Sequence, residues 1–559
     1  MKRVGLTSLL LMVLPALVLW GQAAPLDTYP TVEEVQPLKA QALSIINSIF
    51  QNPSHKEADR LSTVNVLDRS EDPDAVPLLI QIMLNDPFAS VRRQAARSLG
   101  DFHEYQAIPA LRDVAMNESL ASTRWAAGVS ILIMRPIELE FLKSLVSDPK
   151  VLAEAALSLQ DPSTATQFPK SLWPVLEDDF IQGITNSATY DPIVRSAMMR
   201  SLLQFGTTRA IPVILGILNN PKEDSFLRGT AAYVLGQFKA DESLSELIGL
   251  LESGQQAIQV GVLSALGSLA DSSALTPISN LLQSSKSGEL RLDAANALAT
   301  FGPGAIVPLI TAMNSDSSPT VRAAAISSLV QIGGDDAESA ILAFVKSGYF
   351  AQCDPAACSN LALGTLSALA ELGEGKLAVQ LLQSSIEQLR DFLPLLFAFV
   401  EPDLIRVTTK IAGTAPEVLD LLLSDKSPYL QNLGIVAMTA VEGRAAREKI
   451  LPYISADQNV LVRRAALESL SQIAVSDDVD LFSNWLLDKD RRSSLAAYSA
   501  LSRVGDARAL TPLLNSLFST RFNTLLQALN AAFAYANRIE ELHQAMNQLT
   551  PDNKPSSAK

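Results

Sequence analysis

The sequence predicts an all-α solenoid, a superhelix of stacked antiparallel helix pairs. Three observations point there: a short phrase recurs at a near-constant interval, its apolar residues fall four apart, and helix-end signals surround it. The phrase is plainest in "SSPTVRAAAISSLVQIGG" (Ser317–Gly334), where a Val-Arg pair is followed by alanines and by Leu329, eight residues after Val321. Starts at Leu227, Ile258, Leu290 and Val321 lie 31, 32 and 31 residues apart. Self-similarity at such a period marks stacked repeats.

Each repeat divides into two helical halves. The first is an apolar segment such as "AVPLLIQIML" (Ala75–Leu84) or "AIVPLITAM" (Ala305–Met313), with Pro77, Pro109, Pro212, Pro277, Pro308 or Pro512 near its start. A proline is tolerated there because the first helical N–H groups have no partner inside the helix. The second half places apolar groups at i, i+4 and i+8, as in Val91, Ala95 and Leu99 or Leu227, Ala231 and Leu235. These share one helix face, and the small residue at i+4 lets helices approach. Gly100, Gly236 and Gly267 follow the last leucine, where helices end. One such pair cannot bury its apolar face alone, whereas stacked neighbours can.

Composition agrees. The 559 residues are 48% hydrophobic but only 6% aromatic, which suits closely packed Ala-, Leu-, Ile- and Val-rich helices. The formal charge of −15 disfavours attraction to nucleic acid or to an anionic membrane surface. The N-terminus has the basic pair Lys2-Arg3, an apolar run Val4–Trp20 and then Gly21-Gln22-Ala23. This reads as a signal peptide over 1–23. Its removal takes away two basic groups and moves the charge to −17. No later uncharged run is long enough to span a bilayer, so the expectation is an exported protein, periplasmic or extracellular and bacterial.

The repeat resembles the HEAT-repeat family, particularly its short members of about 30 residues related to phycobilin lyases. In HEAT repeats a turn Asp and a second-helix Arg build a ladder between neighbours. Asp86/Arg92, Asp316/Arg322 and Asp457/Arg463 keep one six-residue spacing and resemble that pair. The resemblance implies that the arginine row is structural. It also implies that second helices line a concave side, where a partner would lie. Six residues after each start, that groove would hold Arg97, Arg200, Tyr233, Ser264, Asn296, Ser327 and Glu468, with Arg93 beside Arg97. It would be basic early, small and neutral in the middle and acidic late. Either a partner helix or extended peptide lies along it, its acidic end held by Arg92, Arg93 and Arg97, or the small residues simply let helices pack.

Along the chain, residues 24–160 read as N-terminal repeats opened by a capping helical pair over Leu26–Arg69. Residues 161–192 read as an irregular bend, because Asp161–Pro174 carries three prolines among small polar residues. Residues 193–373 form central repeats with a loop insertion near 348–358, 374–429 divergent helical repeats, and 430–550 C-terminal repeats. Residues 551–559 form a disordered tail.

Cys353 and Cys358 flank an Asp-Pro turn inside the insertion, and in an exported protein they are expected to form a disulfide worth about 2 kcal/mol. The rival is a redox-active or metal-binding pair; zinc is disfavoured because no further Cys and no local His completes a tetrad. Only three histidines exist, His55, His103 and His543. Some HEAT-like hydroxylases bind iron through repeated His-Glu pairs. This chain has one, His103-Glu104, so that chemistry does not carry over and His103 reads as a solvent-facing loop residue. No nucleophile elbow, phosphate loop or zinc spacing occurs. No catalytic residue, cofactor or metal is assigned. The function read from the sequence is an exported, non-enzymatic scaffold for a protein or peptide partner. The alternatives are a lyase-like enzyme or small-molecule binder, and a self-assembling envelope component.

Overall fold

The recurring apolar triplets bury themselves as their spacing demands. The computed structural model describes residues 29–352, 355–519 and 521–549, and among these no strand occurs. Val91, Ala95 and Leu99 are fully buried, as are Leu227, Ala231 and Leu235, Ile258, Val262 and Leu266, and Val321, Ala325 and Leu329. Each such leucine contributes about 2 kcal/mol by leaving water.

Two N-terminal helices come first, α1 (Val32–Gln51) and α2 (Glu57–Ser70). The second helices that follow are α3 (Ala89–Asp101), α4 (Ala121–Met134), α5 (Pro149–Leu159), α6 (Pro192–Phe205) and α7 (Ser225–Gln237). They continue as α8 (Gln256–Leu269), α9 (Gly288–Leu298), α10 (Pro319–Ile332) and α11 (Pro355–Glu371). After them come α12 (Gly375–Thr414), α13 (Pro428–Glu442), α14 (Val460–Ile473), α15 (Arg491–Val504) and α16 (Phe522–Leu549). Shorter first helices run between them, such as Ile108–Asn117 and Ile211–Asn219, with Pro109 and Pro212 in second position.

The helices group into two units, Val76–Ala446 and Met1–Ala75 with Arg447–Lys559. In the first, each second helix packs on the next from α3 through α11, and α12 packs on α11 and α13. The approach is closest between α7 and α8. A Cβ on Gly261 would come within 2.0 Å of the Gly229 main-chain oxygen, and one on Gly229 within 2.2 Å of that of Ala257. Only glycine fits such backbone contact.

The expected irregular bend over 161–192 is corrected: helices Pro162–Gln167 and Trp173–Thr185 occupy it. Its prolines start helices instead of breaking the stack, and Trp173 stacks on Phe205 of α6 at 4.9 Å. The stretch 374–429 also differs from expectation. Its largest part is a single 40-residue helix, α12, that contains Pro394 and Pro402. The insertion near 348–358 is partly helical, at Tyr349–Gln352 and from Pro355 onward. Cys353 and the Cys358 side chain lie outside the described residues, as do the 1–23 signal and the 551–559 tail. The run Gly288–Ser315 is long and apolar enough to cross a membrane, but Gly302 (φ 60°, ψ −147°) interrupts it between α9 and the first helix Ile306–Ser315.

In the other unit α14, α15 and α16 stack in turn, and the N-terminal pair packs on α16. Lys39 of α1, 6% exposed, bridges Asp72 at 3.0 Å and Glu540 at 2.7 Å. Burial alone would lower its pKa; the two carboxylates outweigh that and raise it. Asn537 Nδ2 donates to the Ser70 carbonyl at 2.6 Å, and His543 Nε2 to that of Pro30 at 2.9 Å. The His55 ring lies 5.3 Å from that of Phe522. The expected N-terminal pair is therefore present, and it stacks behind the last helix of the chain.

Candidate protein-binding face

One residue after each opening Val, Leu or Ile, a long polar side chain turns back to the end of the preceding first helix. Arg92 donates to the Asp86 carbonyl (2.9 Å), Arg195 to Ile184 (2.5 Å), Arg228 to Leu218 (2.9 Å), Arg291 to Ser285 (2.9 Å) and Arg322 to Asp316 (2.6 Å). Gln259 does the same for Leu251 at 2.6 Å and Gln431 for Asp425 at 2.9 Å. The last carbonyls of a helix have no partner inside it. The position requires a donor, and glutamine meets that need without charge.

The ladder between neighbours expected of Asp86/Arg92, Asp316/Arg322 and Asp457/Arg463 runs to Asp316 from Arg291 and from Arg92 to Glu118. In the first two pairs the arginine takes the aspartate's main-chain oxygen, and Arg463 reaches that of Ala456 at 3.4 Å. Carboxylate rungs run to the next repeat instead: Arg92–Glu118 (2.9 Å), Arg124–Asp148 (2.7 Å), Arg195–Glu223 (2.8 Å), Arg291–Asp316 (2.8 Å) and Arg464–Asp490 (2.6 Å). The Asp86 and Asp316 carboxylates also accept the amides of Phe88 and Ser318, shaping the turn. Burial would raise the Asp316 pKa, but hydrogen bonds from Arg291 and Ser318 hold it below the usual range. The Arg322 guanidinium lies over the Tyr349 ring at 4.6 Å. An acid 24–28 residues after the arginine was the readable signal for Glu118, Asp148, Glu223 and Asp490.

With the arginine row engaged in caps and rungs, the residues six after each start form a separate strip. Arg97, Ser264, Asn296 and Ser327 are exposed, and Arg200 and Tyr233 are half-buried, as are Val129 and Leu157 at the same position in α4 and α5. The Arg200 guanidinium lies over the Tyr233 ring at 5.5 Å, joining neighbouring helices. Glu468, expected as the late acid of this row, lies in the other unit and is paired with Arg492 at 2.7 Å.

Arg93 and Arg97 stand one turn apart on α3 and form no hydrogen bond or ion pair among the described residues. Burial and the Arg93 charge lower the Arg97 pKa, against weaker attraction from Asp101 and Glu154. On α9 the half-buried Asp293 has its pKa raised by burial and by Glu289. Sequence reading missed Asp293 because it sits three, not six, residues after its start. His103 is exposed in a turn, its Nδ1 2.9 Å from the Asp101 carbonyl. An apolar cavity in the 76–446 unit is lined by leucine, valine and isoleucine, including Leu366, Leu404 and Ile411, with Thr408 as its one polar side chain.

Among solved structures, yeast importin-beta (Kap95p) matches 90% of this chain and 85% of its own at 12% identity and a TM-score of 0.42. The CpcE–CpcF complex of phycocyanin lyase from Nostoc sp. PCC7120 covers 47% of this chain and 94% of its own at 18% identity and a TM-score of 0.26. Human deoxyhypusine hydroxylase covers 53% and 99% at 18% identity and a TM-score of 0.21. No curated protein matches. The HEAT-repeat family model matches residues 51–132, 76–164, 177–267, 222–299, 275–362 and 448–533, more than half of the sequence, and the chain belongs to the HEAT-repeat family.

Proposed function

We propose that this HEAT-repeat chain is an exported, non-enzymatic scaffold that binds a protein or peptide along the second-helix strip of its 76–446 unit. One observation carries the reading: Arg97, Ser264, Asn296 and Ser327, at one repeat position, face solvent on helices whose arginine row is engaged in caps and rungs. A stack of this kind offers an extended surface without needing a pocket. The signal-like residues 1–23 support export to a bacterial periplasm or cell surface. Self-assembly through the array ends finds less support, because α1 and α2 already pack on α16.

The test is photo-crosslinking in the native cell. A photoreactive residue at Ser264, Asn296 or Ser327 is expected to yield the same polypeptide adduct in the envelope fraction. Val307, 73% exposed on a first helix, serves as the control. Adducts from Val307 with none from the strip would refute the assignment.

A further inference from the structure

The strip carries charge of both signs, at defined places, that enters no ion pair among the described residues. At its start the Arg93 and Arg97 guanidiniums share one helix turn, with no carboxylate among the described residues bonded to either. Three helices on, Arg200 lies over Tyr233 and forms no ion pair among the described residues. Three further on, Asp293 is half-buried with Glu289 as its charged neighbour, while Glu289 accepts a bond from Gln256 at 2.5 Å. This contrasts with the arginines at the capping position, most of which meet a carboxylate of the next turn. A half-buried charge without an ion-pair partner, as at Arg93, Arg200 and Asp293, is unfavourable, and the binding of a complementary group would relieve it.

Resting on the scaffold reading above, we propose that the partner is an extended polypeptide segment: an acidic stretch seated on Arg93, Arg97 and Arg200, and a basic residue further along it that meets Asp293. The spacing favours a chain over a compact ligand. Stacked helices lie about 8–10 Å apart, so Arg200 and Asp293 are about 30 Å apart along the strip. An extended chain rising about 3.3 Å per residue spans that in about nine residues. Between Arg97 and Arg200 the half-buried Val129 and Leu157 offer apolar contact. The whole chain is acidic, at −15. An acidic segment is therefore repelled by the net charge and attracted where these arginines cluster, which favours the contact there.

The test is selection of a displayed library of random peptides of about 24 residues on the full-length protein. Six helix steps, about 55 Å, separate Arg97 from Asp293, which an extended chain spans in about 17 residues, so this length covers the strip. Selected peptides are expected to carry an acidic cluster and, about nine residues away, a Lys or Arg. The double variant Arg93→Gln/Arg97→Gln should weaken them at least tenfold and flatten their salt dependence. Asp293→Asn should remove the preference for the basic residue and leave the acidic one intact. Arg112→Gln, on a first helix, should change neither. An unchanged selection in the double variant, or no acidic enrichment at all, overturns the proposal. So does complete displacement by inorganic phosphate, which would make the arginines a free-anion site. Self-association lost in the double variant would make a second copy the occupant and likewise overturn it. In each case a crosslinked partner at Ser264 or Asn296 would leave the scaffold reading standing.

Discussion

The two units are made of the same helix pair and differ in how far along the chain their contacts reach. In the 76–446 unit the rungs join residues 24–28 apart, as in Arg124–Asp148 and Arg195–Glu223. The other unit has such a rung, Arg464–Asp490, together with a bond between residues 501 apart, Lys39–Glu540. Neighbour-to-neighbour stacking needs only local closure and repeats without limit, whereas the ends of an array expose apolar faces that need a separate solution. Here the first helices of the chain cover the last one. The comparison separates what repetition stabilises from what end-to-end contact stabilises.

The sharpest break is Lys39→Ala. It leaves Asp72, 2% exposed, without its cation, and loss of one partner of a buried pair costs about 4 kcal/mol. Hydrogen exchange followed by mass spectrometry should accelerate over 29–75 and 522–549 and stay unchanged over 192–332. Uniform acceleration would show that the contact does not belong to one unit. The reverse experiment is Gly261→Ala. Its methyl group would sit 2.0 Å from the Gly229 oxygen, forcing α7 and α8 apart at about 3 kcal/mol. Faster exchange should be confined to the 76–446 unit, and Ser264→Ala, on the exposed strip of α8, should have little effect.

The smallest effect concerns acid. Burial would raise the Asp490 pKa, but Arg464 and the Ser493 amide and hydroxyl pull it down to about 2. A depressed folded pKa contributes stability that is present above about pH 4 and is lost as pH falls toward 2. This amounts to about 2 kcal/mol for the terminal unit. Urea titrations at both pH values should reveal it, and Asp490→Asn should remove that part of the acid dependence.

The fold of the regular repeats was legible because each packing position recurs. Val91, Leu227, Ile258 and Val321 stand in one register, and all are buried. The prolines at 162, 169 and 174 misled because the same residue starts a helix and ends one, and only the tertiary partner decides which. The ladder was half legible. Six residues separate Arg92 from Asp86 in sequence, yet the side chain takes the carbonyl and leaves the charge to Glu118. Gln259 and Gln431 had nothing to announce them, since a carbonyl cap needs a donor of the right length and no fixed residue type. The link from Lys39 to Glu540 has no period and so left no trace in the spacing.

That last contact bears on how the protein is made. A ribosome releases α1 hundreds of residues before α16, and at about 5–20 residues per second Lys39 waits roughly 25 to 100 seconds for Glu540 to be synthesised. Meanwhile Val35, Leu38, Ala42 and Ile46, all buried in the finished molecule, lack their final neighbour. A prematurely terminated product would never acquire it. In a chain that stops before α16, the apolar face of α1 therefore stays exposed to water.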